Sequence, residues 1–186
     1  MRILLLFLMS FSILGCSSLA SLTSYTVNNS ELETVLSKQL LKLNDNTRVL
    51  GVPVEIAVND LAVDIGPDNK DVIRLTVDAD AIAGMLGFTY PAKVTLSLEG
   101  APSYNASEKA IYVQSLTLLD SSIQTGGFSG NLAPVSNDVM ALVNAYLKTN
   151  PVYTLDTSQP GVAWLATIPL NMSVEAGKIR FAPATN

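Results

Sequence analysis

The sequence predicts an α+β domain in which a long, strongly curved antiparallel sheet wraps amphipathic helices laid on one of its faces. Three observations carry this. Apolar residues recur at helical spacing in two stretches, 30–45 and 136–151. Between them the period falls to two over four long runs, and clusters of Gly, Pro, Asn, Asp and Ser separate several of those runs as turns would.

The elements follow in chain order. Arg2 precedes an apolar run, Ile3 to Leu14, interrupted by Ser10 and Ser12, and Gly15 then stands directly before Cys16, the single cysteine of 186 residues. This is the layout of a leader peptide, and the run is too short to cross a bilayer, which takes about 20 apolar residues. An ordinary export signal ends in small residues at both −3 and −1, whereas here Ile13 and Leu14 precede Gly15. The stretch Ile13–Leu14–Gly15–Cys16 resembles a lipobox, the site at which bacterial lipoproteins are cleaved and acylated. Leu14 is bulkier than that pattern usually carries, and a plain export signal with a bystander cysteine is the competing reading. The expected organisation is a leader over 1–15, a lipidated tether over 16–24 and one domain over 25–186. Two or more acyl chains hold a protein on a membrane effectively permanently, at about 0.8 kcal/mol per buried CH₂. By the same resemblance, Ser17 after the cysteine implies an outer membrane location facing the periplasm.

SYTVNN reads as a short extended piece, and SELETVLSKQLLKLND as a helix with Ser30 as N-cap and Glu33 completing a capping box. Leu32, Val35, Leu36, Leu40 and Leu43 share one face. VPVEIAVNDLAVDI alternates through Val54, Ile56 and Val58 and then, one residue out of phase, through Leu61, Val63 and Ile65, which predicts a β-bulge near Asn59 and Asp60. GPDNKD turns the chain, and VIRLTVDADA resumes the alternation as the partner strand. IAGMLGFTYP reads as an apolar hairpin loop that folds over the core or as a lip at an opening. AKVTLSLEG and AIYVQSLTLLDSSIQT make a second hairpin around APSYNASEKA, with a phase slip near Ser115. GGFSGNLAP reads as a loop.

SNDVMALVNAYLKTNP is the second helix, capped by Ser136, with Asp138 in its first turn and Val139, Leu142, Val143, Tyr146 and Leu147 along one face; Pro151 ends it. VYTLD is then available to pair with the sheet. A loop around Gln159, Pro160 and Gly161 leads to Trp164, and SVEAGKIRFAP turns at Glu175 to Lys178 into a last strand. Bulged strands coil strongly, and a coiled sheet about an apolar helix makes a tapered tube with an apolar interior.

Composition narrows function. There is no histidine, so Ser-His-Asp and Cys-His nucleophile arrangements and imidazole metal sites are excluded; carboxylate acid-base chemistry stays possible in principle, and neither catalysis, cofactor nor metal is expected. Of 11 basic residues Arg2 lies in the leader, leaving 10 against 16 acidic ones, a balance that argues against nucleic acid and against electrostatic docking on anionic lipid. Asp60, Asp64, Asp78 and Asp80 are evenly spaced in pairs on neighbouring strands and could gather a cation, but the solvated face of an antiparallel sheet carries such residues by default. Tyr90, Tyr104, Tyr112, Tyr153 and Trp164 could rim an opening, with core or edge packing as the commoner reason for them. GGFSG lacks the lysine and hydroxyl residue of a phosphate loop.

The lipobox cysteine, SYTVNNSELETVLSK, AIYVQSLTLLDSSIQ, LVNAYLKTNPVYTLD and the closing VEAGKIRF together resemble the YceB-like lipoproteins, a bacterial family of unknown function, over essentially the whole mature chain. The resemblance implies a tubular lipid-binding (TULIP-like) fold, in which a curved sheet wraps a long helix around an apolar cavity. It carries over one functional position, Cys16. The apolar side chains that would line such a cavity are Leu32, Val35, Leu36, Leu40, Leu96, Leu98, Val139 and Val143, unless they are ordinary core. The expected role is to bind or shield a lipid or acyl chain at the membrane. The competing expectation is a non-catalytic module that docks an envelope protein through a sheet edge or through IAGMLGFTYP.

Overall fold

A computed structural model of the chain describes residues 24–40, 47–49, 52–131 and 136–184. The chain starts as strand β1 (Tyr25–Asn28) and passes directly into helix α1 (Asn29–Leu40). The cap is Asn28 and not Ser30: its Oδ1 accepts the Glu31 backbone N–H at 2.9 Å and the Ser30 hydroxyl at 2.8 Å. An asparagine one turn before the apolar stripe competes for the same backbone donors that a capping serine would take. Leu43 lies outside the described residues.

A seven-stranded antiparallel sheet follows. Strands β2 (Thr47–Val49), β3 (Val52–Ile65), β4 (Ile73–Met85), β5 (Phe88–Asn105), β6 (Ala110–Thr125) and β7 (Phe128–Gly130) lie side by side in chain order, and β8 (Tyr153–Thr154) joins the outer edge of β6. Among the described residues β2 and β7 end the path without pairing with each other, so the sheet is open. The stretch expected as a hairpin loop or a lip, IAGMLGFTYP, is a hairpin whose strands run up to a two-residue turn. Leu86 and Gly87 both lie at positive φ, the backbone that matches strand twist in a tight hairpin. The same turn form at Gly126 and Gly127 makes GGFSG a hairpin into β7, where a loop was expected.

The β3 bulge falls where the phase slip predicts it: Val58 faces Ala79 and Asp60 faces Asp78, leaving Asn59 unmatched. In β6, Glu99 faces Thr117 and Ala101 faces Gln114, so Gly100 opposes both Ser115 and Leu116, with Ser115 at φ 54°. Gly100 is required there, because a Cβ on it would stand 2.5 Å from Val113 Cγ1. A further bulge at Leu119 shifts the phase again. These slips keep Ile111, Val113, Leu116 and Leu118 on one face.

Helix α2 (Ser136–Thr149) packs on β6, and α1 packs on β3. Asn144 of α2 fills the unpaired middle of the β6 edge, accepting the Leu116 N–H at 3.0 Å and donating to the Leu116 carbonyl at 3.2 Å. Helix α3 (Pro160–Leu165), with proline at its first turn, replaces the expected loop at Pro160 and Gly161. Strands β9 (Leu170–Glu175) and β10 (Lys178–Pro183) then pair with each other and with β1 as a separate small sheet.

The turn of that hairpin seats on the end of β3. Gly177 N–H donates to the Ile65 carbonyl at 2.7 Å, and Ile65 N–H donates to Asn29 Oδ1 at 3.0 Å. Gly66, at φ 67°, sits so close that a Cβ would be 2.7 Å from the Glu175 carbonyl oxygen. Between the small sheet, α1 and this end of the large sheet lies the core, where Val27, Leu32, Ile65, Ile111, Val152, Ile179 and Phe181 are at 0% exposure. Phe181 meets Tyr104 edge-on at 5.0 Å between ring centres.

Candidate functional site

Among the described residues the large sheet outruns its cover. Its proximal half, next to the small sheet, holds the packed core, and its distal half runs on to the Leu86–Gly87 turn. Register places Ala79, Ala81 and Ala83 of β4 in line on the core-side face of this distal half, flanked by Val58, Ile56 and Val54 of β3 and by Val94, Ala92 and Tyr90 of β5. Adjacent strands lie about 4.8 Å apart, so a row of methyl groups between rows of mostly larger side chains leaves a furrow along β4. Ile56 is 40% and Tyr90 48% exposed; Val54, Val58, Ala81, Ala83, Ala92 and Val94 are half-buried. The floor and walls of the furrow are apolar apart from the Tyr90 hydroxyl.

The exposed hydrophobic residues concentrate here too. Among the described residues eight large apolar side chains are exposed, and six of them, Ile56, Ile82, Leu86, Phe88, Tyr90 and Phe128, belong to this end; Leu119 and Trp164 lie elsewhere. The face opposite the furrow is polar further in. Asp80 pairs with Lys93 at 3.6 Å and accepts from Asn59 at 2.9 Å, and Asp78 accepts from the Thr95 hydroxyl at 2.5 Å. Asp60 lies opposite Asp78 and Asp64 opposite Arg74. Among the described residues no three carboxylates converge in a metal-binding geometry; Asp60 and Asp64 are exposed on this face and Asp78 and Asp80 half-buried.

Of the expected lining residues, Leu32, Leu36 and Leu98 are buried in the proximal core, with Val35, Leu40 and Val143 packed against it. Leu96 is half-buried between Val77 and Ser121, where the core gives way to the furrow. The Val139 side chain and Cys16 lie outside the described residues. Of the aromatic residues, Tyr90 borders the furrow, Tyr104 packs on Phe181, Tyr112 donates to Glu108 and Tyr153 is buried.

Sequence reasoning missed a cluster at the proximal end. The hydroxyls of Tyr25 and Tyr153 lie 2.9 and 2.5 Å from Glu31 Oε1 and 2.6 Å from each other. Burial raises the Tyr153 pKa well above the ordinary phenol value, and the bonds to Glu31 and Tyr25 raise it further. The three oxygens tie β1, α1 and β8 together. No local signal could have found them, because Tyr25 and Tyr153 are 128 residues apart. A second hollow, of about 970 Å³, lies beside α2 and is lined by polar residues together with Tyr104, Tyr112 and Val113. Its Gln114, Tyr112 and Asn144 side chains are bonded to Ser103, Glu108 and Leu116.

Comparison with known proteins gives a consistent picture. The chain is 25% identical over 179 residues to a Salmonella typhimurium protein named uncharacterized lipoprotein YceB, covering 94% of this chain and 92% of that protein. It is 24% identical over 173 residues to the Escherichia coli protein of the same name, covering 90% and 89%. With residues 27–178 matching the model of DUF1439, a protein of unknown function, the chain belongs to that family and is similar along its length to the YceB lipoproteins.

Proposed function

We propose that this chain is a lipid-anchored protein of the bacterial cell envelope that holds an acyl chain, or an apolar ligand of similar section, in the β4 furrow without chemistry. Cys16 is the acylated residue and 16–24 the tether, with the body on the periplasmic side of the outer membrane. The observation that carries the reading is the alanine row of β4 between half-buried and exposed apolar neighbours. Apolar surface left uncovered in water costs about 25 cal/mol per Å², and contiguous patches of this kind mark binding sites. The lipoprotein names of the relatives support the anchor. The guest lies along the sheet at Val58, Ala79, Ala81, Val94 and Leu96, and the core residues Leu32, Leu36 and Leu98 close the inner end. In this reading the large sheet curves about its helices in the TULIP-like manner.

Native mass spectrometry with lipid extraction of the purified protein tests this. The expected result is about one bound lipid per chain, lost in an Ala81→Leu, Ala92→Leu variant that fills the furrow and melts normally. A native chain that carries no lipid, or a filled variant that carries as much, overturns the reading. Cys16→Ser should release the protein from membranes, and unchanged fractionation would place the attachment elsewhere.

A further inference from the structure

The distal end has an order that the furrow alone does not require. Moving inward from the β4–β5 turn along β5, Leu86 is 91% exposed, Phe88 68% and Tyr90 48%. The Asp80–Lys93 ion pair then marks the first charge on either strand. The sequence runs hydrocarbon, aromatic, aromatic with a hydroxyl, charge. Residues 81–92 contain no Asp, Glu, Lys or Arg, and neither do residues 121–137, which include the β6–β7 hairpin with Phe128 at 64% exposure. A hollow of about 530 Å³ between the two hairpins is bordered by Ile82, Pro91 and Phe128 and, at its inner side, by Asp80 and Lys93.

We propose that these two hairpins enter the hydrocarbon of the bilayer that holds the anchor, and that this end is where a guest passes between membrane and furrow. The inference rests on the reading of the chain as an envelope lipoprotein with an apolar furrow, and it adds the route. Polypeptide segments lying in an interface sink about 5–10 Å into it. From Phe88 to Tyr90 β5 advances about 7 Å at about 3.3 Å per residue, and Leu86 stands beyond Phe88 at the turn. That depth puts Leu86 and Phe88 in the acyl region, Tyr90 at the headgroups where amphipathic rings are favoured, and Asp80 with Lys93 in water. A protein-docking patch has no need of that gradation. With no charged residue in either hairpin tip, 81–92 or 121–137, and only Glu55, opposite Ile82, and Arg48, opposite Pro53, on the adjoining strands, the partner is an uncharged hydrocarbon surface and not an anionic headgroup layer. Residues 16–24 span at most about 30 Å, so the body can lie along the membrane with its far end in contact, and tethering keeps that surface at high effective concentration.

The test uses the acylated protein reconstituted in phosphatidylcholine vesicles, carrying Phe88→Trp in a Trp164→Phe background. Lipid brominated along the acyl chain should quench the new tryptophan by about twofold or more, and salt at about 1 M should leave this unchanged because no charge pair is being screened. The native protein, whose Trp164 lies outside both hairpins, should be quenched far less, and adding Leu86→Asp should abolish the effect. A tryptophan reached freely by aqueous acrylamide and untouched by brominated lipid overturns insertion, as does quenching that salt removes, or crosslinking of position 88 to an envelope protein in its place. Quenching that persists after the vesicles are removed reports lipid in the furrow only, which also overturns insertion while leaving the proposed function standing. A quenched tryptophan on a chain that extracts without lipid supports insertion and discards the furrow.

Discussion

Along the core-side face of β4 the residues run Ile73, Leu75, Val77, Ala79, Ala81 and Ala83 from one end of the strand to the other. Ile73 is 1% and Leu75 7% exposed, against β3 partners Ile65 and Val63 that are equally buried. Four residues on from Leu75, Ala79 is still buried, but beyond it Ala81 faces an Ile56 that is 40% exposed. The alternation is the same in both halves, so what differs is the cover. The proximal half lies under α1 and the small sheet, whose turn is fixed by Gly177 to Ile65. Along β4 side-chain size changes with it, from branched residues where the face is covered to methyl groups where it is open, while the flanking strands keep Val54, Ile56, Val58 and Val94 on the open part. A period-two pattern states which face is apolar, and the fall in bulk on one strand between bulkier neighbours is what leaves the furrow.

The comparison is broken most severely from the covered side. Phe181→Ala removes a ring at 0% exposure that packs on Tyr25 and Tyr104, and a buried Phe→Ala change costs about 3–5 kcal/mol. Chemical denaturation should show that loss, together with melting of the small sheet. Next in size is Asn144→Ala. It leaves the Leu116 N–H and carbonyl, now both bonded to the Asn144 amide, without a partner in the middle of β6, at about 1–3 kcal/mol. Hydrogen exchange at Leu116 should accelerate well before exchange at the neighbouring Ile111 or Val113. A variant as protected as the native chain would show that the strand edge needs no such cover.

How much of this was legible before coordinates differs by type of feature. The bulges at Asn59 and Ser115 could be read because an extra residue shifts the phase of an alternating run, which is a local signal. The bulge at Leu119 was hidden by the polar residues around it, Asp120, Ser121 and Ser122, which blur the alternation. The helix cap was misplaced by two residues because Asn28 and Ser30 are both good caps, and only the hydrogen bond to Glu31 separates them. The hairpin tips were read as loops because Gly-Gly and Leu-Gly mark a turn without saying that strand resumes at once. The furrow was not legible at all. Ala79, Ala81 and Ala83 look like weak strand residues until register sets them beside Ile56 and Tyr90, and register comes from cross-strand pairing. The Tyr25, Glu31, Tyr153 cluster needs three segments brought together, for the same reason.

That cluster supplies a pH test confined to the covered half. The folded Tyr153 phenol holds its proton more tightly than the unfolded one, whose pKa is about 10. Its contribution is therefore present in full below about pH 10 and is lost as pH climbs above it, because the unfolded chain releases a proton that the folded chain keeps. Stability of the native protein should fall with pH above about 10, and in Tyr153→Phe that slope should be shallower by about one proton. Identical slopes would mean that the phenol titrates alike in both states.

The smallest effect is expected where the open half is most exposed, and its smallness is the informative outcome. Leu86 is 91% exposed at a turn, so Leu86→Ser should change stability by no more than about 0.5 kcal/mol in water. Replacement of Leu by Ser removes apolar surface that folding did not bury, whereas the same change at Leu75 or Leu98 would open a cavity costing several-fold more. If the distal end exists to meet a membrane, selection on Leu86 acts through the bilayer and not through the fold. The two measurements should therefore separate, with melting temperature nearly unchanged and vesicle contact weakened. A Leu86→Ser protein that melts much earlier would mean that this end is held by contacts of the chain itself, and the contrast between the halves would lose its physical basis.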